Sequence, residues 1–157
     1  MNKFAQLEKN VAVFWGLTHN EFQRVGCGFD FISPNGQPVE LKMDLRASET
    51  GNTFLEISQT FDNMRNWQPS GASLSVAQAD IFCIATSSTI YIIPREFLRK
   101  LLEDAPKYKT VHTRTGANGN KSTSYAKGLL VPLALLTKYC LLAQRADTSF
   151  NEAVKTA

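Results

Sequence analysis

The chain has 157 residues, a formal net charge of +3, 43% hydrophobic and 20% charged residues, and three cysteines. That balance suits one globular domain with a core of its own, and the widely spaced Cys27, Cys83 and Cys140 exclude a disulfide framework or a zinc-cysteine site. No apolar run is long enough to span a membrane and no basic-then-apolar leader opens at Met1, so a soluble, cytoplasmic protein is expected.

Phe4, Leu7, Val11, Phe14 and Trp15 recur at helical spacing and predict an amphipathic helix over Asn2–Leu17. Glu8 falls within this apolar stripe, where a carboxylate either finds a partner, such as a metal or Lys42, or bends out to water. Glu21–Val25 reads as a short strand, and the small residues of Gly26-Cys27-Gly28 allow another backbone to come close. The run Phe29-Asp30-Phe31-Ile32-Ser33-Pro34-Asn35-Gly36-Gln37-Pro38-Val39-Glu40-Leu41-Lys42 carries most of the chemical information. Asn35-Gly36 between two apolar runs signals a hairpin that pairs Gly28–Ile32 with Val39–Asp44. Strand alternation then sends Glu40, Lys42 and Asp44 to one face and Val39, Leu41 and Met43 to the other. A two-residue turn would set Asp30 opposite Leu41, on the wrong face. Pro34 and Pro38 cannot donate to a ladder, so a wider loop that sets Asp30 opposite Lys42 is expected.

Downstream, Arg46–Asn52 reads as a polar loop and Thr53–Ser58 as a strand, with Glu56 either a further acid of the same site or an exposed mid-strand residue. Gln59–Ser75 reads as a polar loop able to cover the active face, with Arg65 and Trp67 as substrate contacts and a turn at Pro69-Ser70-Gly71. A short helix at Ser73–Gln78, strands at Asp80–Thr86 and Thr89–Ile93, and a helix from Pro94 through Leu102 follow, with Asp80 structural. Gly128–Val131 reads as a short strand and Pro132–Leu142 as the last helix.

Charge is unevenly distributed. Residues 1–104 hold nine Lys and Arg against twelve acidic residues and residues 105–157 hold eight against two, so the two parts carry −3 and +6. Lys107, Lys109, Arg114, Lys121 and Lys127, interleaved with Tyr108, His112 and Tyr125, predict a basic flexible loop over 107–127 that binds a phosphate backbone. The alternative is a solvated basic loop. Asp30 and Glu40 brought together would need a cation, and two hard oxygen donors suit Mg2+ or Mn2+. Lys42 on the same face could position a water or offset charge on a phosphate, so phosphodiester hydrolysis is the natural reaction, against an exposed hairpin with an ordinary Glu/Lys pair.

Asp30 followed by Glu40-Leu41-Lys42 across a Pro-Asn-Gly turn resembles the PD-(D/E)xK nuclease superfamily. Over about fifteen residues, Asp-Phe-x-x-Pro-Asn-Gly-x-x-Val-Glu-x-Lys is similar to the motif of phage Holliday-junction-resolving endonucleases, with Phe29 where the superfamily's proline would stand. The resemblance implies an α/β (α+β) fold with a restriction-endonuclease-like core over 1–157, its central mixed sheet flanked by helices. It implies Asp30 and Glu40 as metal ligands, the Leu41 carbonyl and Glu8 as further ligands, Lys42 as the catalytic lysine, and Mg2+ or Mn2+ as cofactor. Glu56 ranks below these as an auxiliary catalytic acid. The expected partner is DNA, branched DNA first, and a homodimer would fit because cutting two strands of a junction needs two active sites. A non-catalytic nucleic-acid-binding protein on the same fold and an RNA-directed nuclease are the alternatives.

Overall fold

A computed structural model describes residues 12, 16–20, 27–62, 65–104, 109–115, 124–140 and 142–145; for 109–115, 124 and 142–145 it describes the backbone. In chain order the elements are β1 (Thr18–His19), β2 (Phe31–Ile32), β3 (Pro38–Met43), α1 (Ala47–Thr50), β4 (Asn52–Thr60), β5 (Gln68–Pro69) and α2 (Ala72–Gln78). They continue as β6 (Ile81–Ala85), β7 (Thr89–Pro94), α3 (Arg95–Glu103), β8 (Lys109–Thr115), β9 (Ser124–Pro132), α4 (Leu133–Leu136) and β10 (Leu142–Arg145). The fold is mixed α/β. A central mixed sheet runs β1-β2-β3-β6-β7-β10, and a second, antiparallel sheet runs β5-β4-β9-β8, with helices flanking them. Of the expected helix over Asn2–Leu17, only Ala12, Gly16 and Leu17 are described. Ala12 is helical, but Gly16 turns at φ +69° and Leu17, whose N–H donates to the Ala12 carbonyl at 2.8 Å, is already outside the helix, so the helix does not reach Leu17. The rest of it and the expected strand over Glu21–Val25 lie outside the described residues.

The hairpin forms with a loop wider than two residues, as the prolines require, but its register differs from the expectation. Phe31 pairs with Val39 and Ile32 with Pro38. Ser33 and Gln37 close a three-residue loop: Ser33 N–H donates to the Gln37 carbonyl at 2.9 Å and Gly36 N–H to the Ser33 carbonyl at 2.9 Å. Gly36 takes φ +79°, the left-handed position that ends such a loop. The loop therefore widens on the Pro34 side rather than the Gln37 side, and counting back along the ladder sets Asp30 against Glu40, not Lys42. Strand β2 is also shorter than expected, because Asp30 has already left the ladder. Its N–H donates to the Val39 carbonyl at 3.2 Å and its carbonyl accepts from Asn20 N–H at 2.8 Å.

Strand β3 pairs in parallel with β6, Glu40 opposite Phe82 and Lys42 opposite Ile84. Opposed residues share a face, so the charged face of β3 is the one that carries Phe82 and Ile84 into the main core with Leu55, Leu129 and Val131 of the second sheet. Val39 and Leu41 point to the other face, where they pack with Phe31, Cys83, Ala85 and Ile90. The alternation was predicted. That its charged side looks inward rather than to solvent was not.

The connection from β3 to β6 runs through β4, β5 and α2, and α2 returns against the segment leading into Asp30. Gly28 N–H donates to Gln78 Oε1 at 2.8 Å, and Ser75 Oγ donates to the Gly28 carbonyl at 2.9 Å. A Cβ at Gly28 would stand 2.5 Å from the Leu74 carbonyl oxygen, so only glycine permits this approach. Asp80 is structural, as expected: its carboxylate pairs with Arg95 at 2.8 Å while Arg95 Nε donates to the Ala79 carbonyl at 2.7 Å.

Several segments correct the sequence reading. Residues 109–115 and 124–127, expected as loop, are strand β8 and the first part of strand β9, with Arg114 opposite Tyr125 and His112 opposite Lys127; the strand expected at Gly128–Val131 forms and is the continuation of β9. The β-branched Thr110, Val111, Thr113 and Thr115 favour an extended chain, a propensity that outweighs the charge on which the loop expectation rested. Ala47–Thr50 is a helical turn rather than loop, and the last helix is only Leu133–Leu136, because the chain rejoins the central sheet as β10.

Gly28→Ala is expected to destabilise the protein by about 1–3 kcal/mol, since overpacking here meets backbone rather than a movable side chain. Equilibrium urea denaturation checks this; an unchanged midpoint would refute the packing of α2 on this segment.

Candidate active site

A cavity of about 680 Å³ is lined from the central sheet by Asp30, Glu40 and Lys42, from β4 by Thr53–Glu56 and Gln59, and from the start of α2 by Ser70–Ala72 and Leu74. Asp30, in the segment just before β2, interacts with Glu40 in this cavity. Strand alternation brings Lys42 to the same side.

Glu40 is the pivot of the cavity. It is 4% exposed. Its Oε1 forms an ion pair with Lys42 Nζ, while Oε2 is buried with no hydrogen-bond partner. Burial pushes the Glu40 carboxyl above its ordinary value, the Lys42 ammonium pulls it down, and the neighbouring Asp30 carboxyl pushes it up again, leaving it raised. The Lys42 side chain is 48% exposed, so its ammonium reaches from water into the cavity along an apolar stem.

These groups offer a hard, oxygen-rich donor set. Val39's carbonyl faces β2, where it accepts from Asp30, and alternation turns the Leu41 carbonyl to the same edge. Among the described residues no three His, Cys, Asp or Glu side chains converge as metal ligands. Mg2+, however, is commonly held by one or two carboxylates, with water and substrate completing its shell. The unsatisfied Oε2 and the adjoining Asp30 carboxyl fit such a cation.

The other predicted site residues divide. Glu56 lines the same cavity from β4, opposite Gly128. Glu8, Lys107 and Lys121 lie outside the described residues. Lys109 and Arg114 stand on β8, two strands from the cavity-lining β4. Lys127, on β9, places its Nζ 4.6 Å from the centre of the Trp67 ring, a cation–π contact that joins two residues picked separately as nucleic-acid contacts. Asp44 also lines the cavity, but its carboxylate is engaged: Oδ1 accepts from Ala47 N–H at 3.1 Å and Oδ2 from the buried Thr53 hydroxyl at 2.8 Å. Sequence reading missed Ser70, a buried cavity-lining residue whose hydroxyl has no partner. Pro69-Ser70-Gly71 resembles any turn, and its burial follows from β5 pairing with β4, for which the local sequence holds no signal.

Because folded Glu40 holds its proton more tightly than the unfolded chain does, its contribution to stability should be fully present below its ordinary 4.5 and be lost as pH rises from there through the raised value. Glu40→Gln should flatten that slope in denaturation midpoints measured from pH 4 to 8 with chelator present. An identical slope in the variant would show that Glu40 does not carry it.

Compared with models of known protein families and with curated proteins, the chain matches none.

Proposed function

We propose that the chain is a Mg2+- or Mn2+-dependent endonuclease that hydrolyses DNA phosphodiester bonds at the cavity of Asp30, Glu40 and Lys42. The observation that carries this reading is a buried carboxyl with one unpartnered oxygen, set against a second carboxyl and a half-exposed lysine in one cavity. Such a carboxyl destabilises an apolar face unless a bound cation or proton answers it.

Asp30 and Glu40 would hold the cation, with the Leu41 carbonyl as a further oxygen donor. When bound there, Mg2+ or Mn2+ would supply a Lewis acid for a phosphoryl oxygen and lower the pKa of a water. The Lys42 ammonium would orient the attacking water and offset charge growing on the phosphate. Glu56, on the β4 wall, is an auxiliary acid. The β8–β9 hairpin, with Lys109, Arg114 and Lys127, contributes attraction for the backbone of the nucleic acid. The motif's likeness to junction resolvases makes branched DNA the first substrate, and two copies of the chain would supply the two cuts.

The Lys42–Glu40 ion pair also supports a second reading, a DNA-binding protein without turnover in which Lys42 neutralises Glu40 permanently. One assay separates the two. Purified protein with Mg2+ or Mn2+ is expected to cut supercoiled plasmid or a four-way junction. Glu40→Ala and Lys42→Ala should each lower the rate by at least about a hundredfold while DNA binding in Ca2+ persists. DNA bound but uncut under all conditions would favour the second reading, and cutting of single-stranded RNA alone would move the substrate class.

Changing Lys109 and Arg114 together to Ala should weaken DNA binding and reduce the slope of log Kd against log salt by about 0.9 for each phosphate no longer neutralised. An unchanged slope would assign the hairpin to structure.

A further inference from the structure

Five Ser or Thr residues are buried among the described residues: Thr53, Thr60, Ser70, Ser75 and Thr86. Four have hydroxyls bonded within the protein. Thr53 donates to Asp44 at 2.8 Å, Thr60 to Asp62 at 2.7 Å, Ser75 to the Gly28 carbonyl at 2.9 Å and Thr86 to the Thr89 carbonyl at 2.9 Å. Ser70 is the exception. It is 2% exposed and its Oγ has no partner.

Among the described residues, the two buried side-chain polar atoms left without partners, Glu40 Oε2 and Ser70 Oγ, belong to residues that line the same cavity from different elements of the fold. The Ser70 backbone is fixed: its N–H donates to the Ile57 carbonyl at 3.1 Å and its carbonyl accepts from Ser73 N–H at 3.1 Å. The hydroxyl is thus held in place by the β4–β5 pairing and the start of α2 rather than by any bond of its own. Burying a hydroxyl without a partner is unfavourable, and a bound ligand removes that cost.

The chemistry of the wall indicates which ligand. Asp30 and ionised Glu40 only accept hydrogen bonds or coordinate cations, so donors to an anion must come from elsewhere. Lys42 is one. A neutral hydroxyl adds a second donor without adding charge, and it suits an oxyanion of any base sequence. We infer that Ser70 is a substrate-binding residue of this site, its hydroxyl donating a hydrogen bond to a non-bridging phosphate oxygen of the bound DNA strand. The inference rests on the nuclease reading above and adds a residue from a different element to its site.

Ser70→Ala removes the donor and Ser70→Cys replaces it with a weak one of similar shape. Three quantities are measured for each: the urea midpoint, the Kd for a short fluorescein-labelled DNA duplex in Ca2+, and kcat/KM for cleavage in Mg2+. The urea midpoint should hold or rise, because no internal bond is lost. DNA affinity and kcat/KM should fall by about ten- to a hundredfold, the range for a hydrogen bond to a charged group. A lower midpoint with unchanged Kd and kcat/KM, or no change in any of the three, would overturn the inference and leave the nuclease reading standing. If wild type binds DNA without cutting it, the nuclease reading fails and the Kd alone decides the role of Ser70. If wild type binds no DNA, both fall.

Discussion

The burial of the Glu40 carboxyl is the constraint around which the cavity is arranged. Its position on β3 faces the interior, beside Phe82 and Ile84, where an apolar side chain of similar size would pack without penalty. Removing a carboxylate from water costs on the order of several kcal/mol, and a single half-exposed lysine recovers only part of that. The adjoining Asp30 makes matters worse, since a second carboxyl disfavours ionisation of the first. An arrangement so poorly suited to stability alone makes chemical sense if the pair is kept for a bound cation or a transferable proton.

Holding that arrangement takes elements distant in sequence. Asp30 lies just before β2, where its main chain is tied on one side to Val39 and on the other to Asn20. The segment entering it is clamped at Gly28 by Ser75 and Gln78 of α2. Helix α2 is the end of the excursion that leaves β3, builds β4 and β5 and returns to β6. The same stretch of chain therefore supplies a wall of the cavity and the clamp on the segment that enters Asp30.

The sequence made the β3 face legible because the cues there are local: period-two alternation places Glu40 with Lys42, and two prolines around Asn35-Gly36 rule out the tightest turn. Which side the loop widened on was not legible. Pro34-Asn35-Gly36 and Asn35-Gly36-Gln37 both offer three-residue loops, and the former prevails with Gly36 in its left-handed final position. Residues 109–115 were misread because charge suggested solvent while β-branching argued for a strand paired with a segment some fifteen residues on. Ser70 was invisible for a deeper reason. Its burial depends on a two-residue strand that exists only because β4 is there to pair with it.

The second sheet has two parts in the proposed chemistry, and they pull in opposite directions. Its strand β4 walls a cavity whose carboxyls would repel a phosphate, while β8 and β9, further along the same sheet, have Lys109, Arg114 and Lys127 in their sequence, which would attract it. Surface charges of this sign would raise the local concentration of a polyanion, an effect that salt screens over about 8 Å at physiological ionic strength. A phosphate drawn to the hairpin still meets a like charge at the acids until a cation is present. On this reading the affinities for divalent cation and for DNA are linked, each strengthening the other by the same factor, because each relieves a repulsion that the other would face alone. Lys42 sits at the junction of the two proposed effects: paired with Glu40 it would compete with a cation, and freed from it, it would serve as a donor to the phosphate.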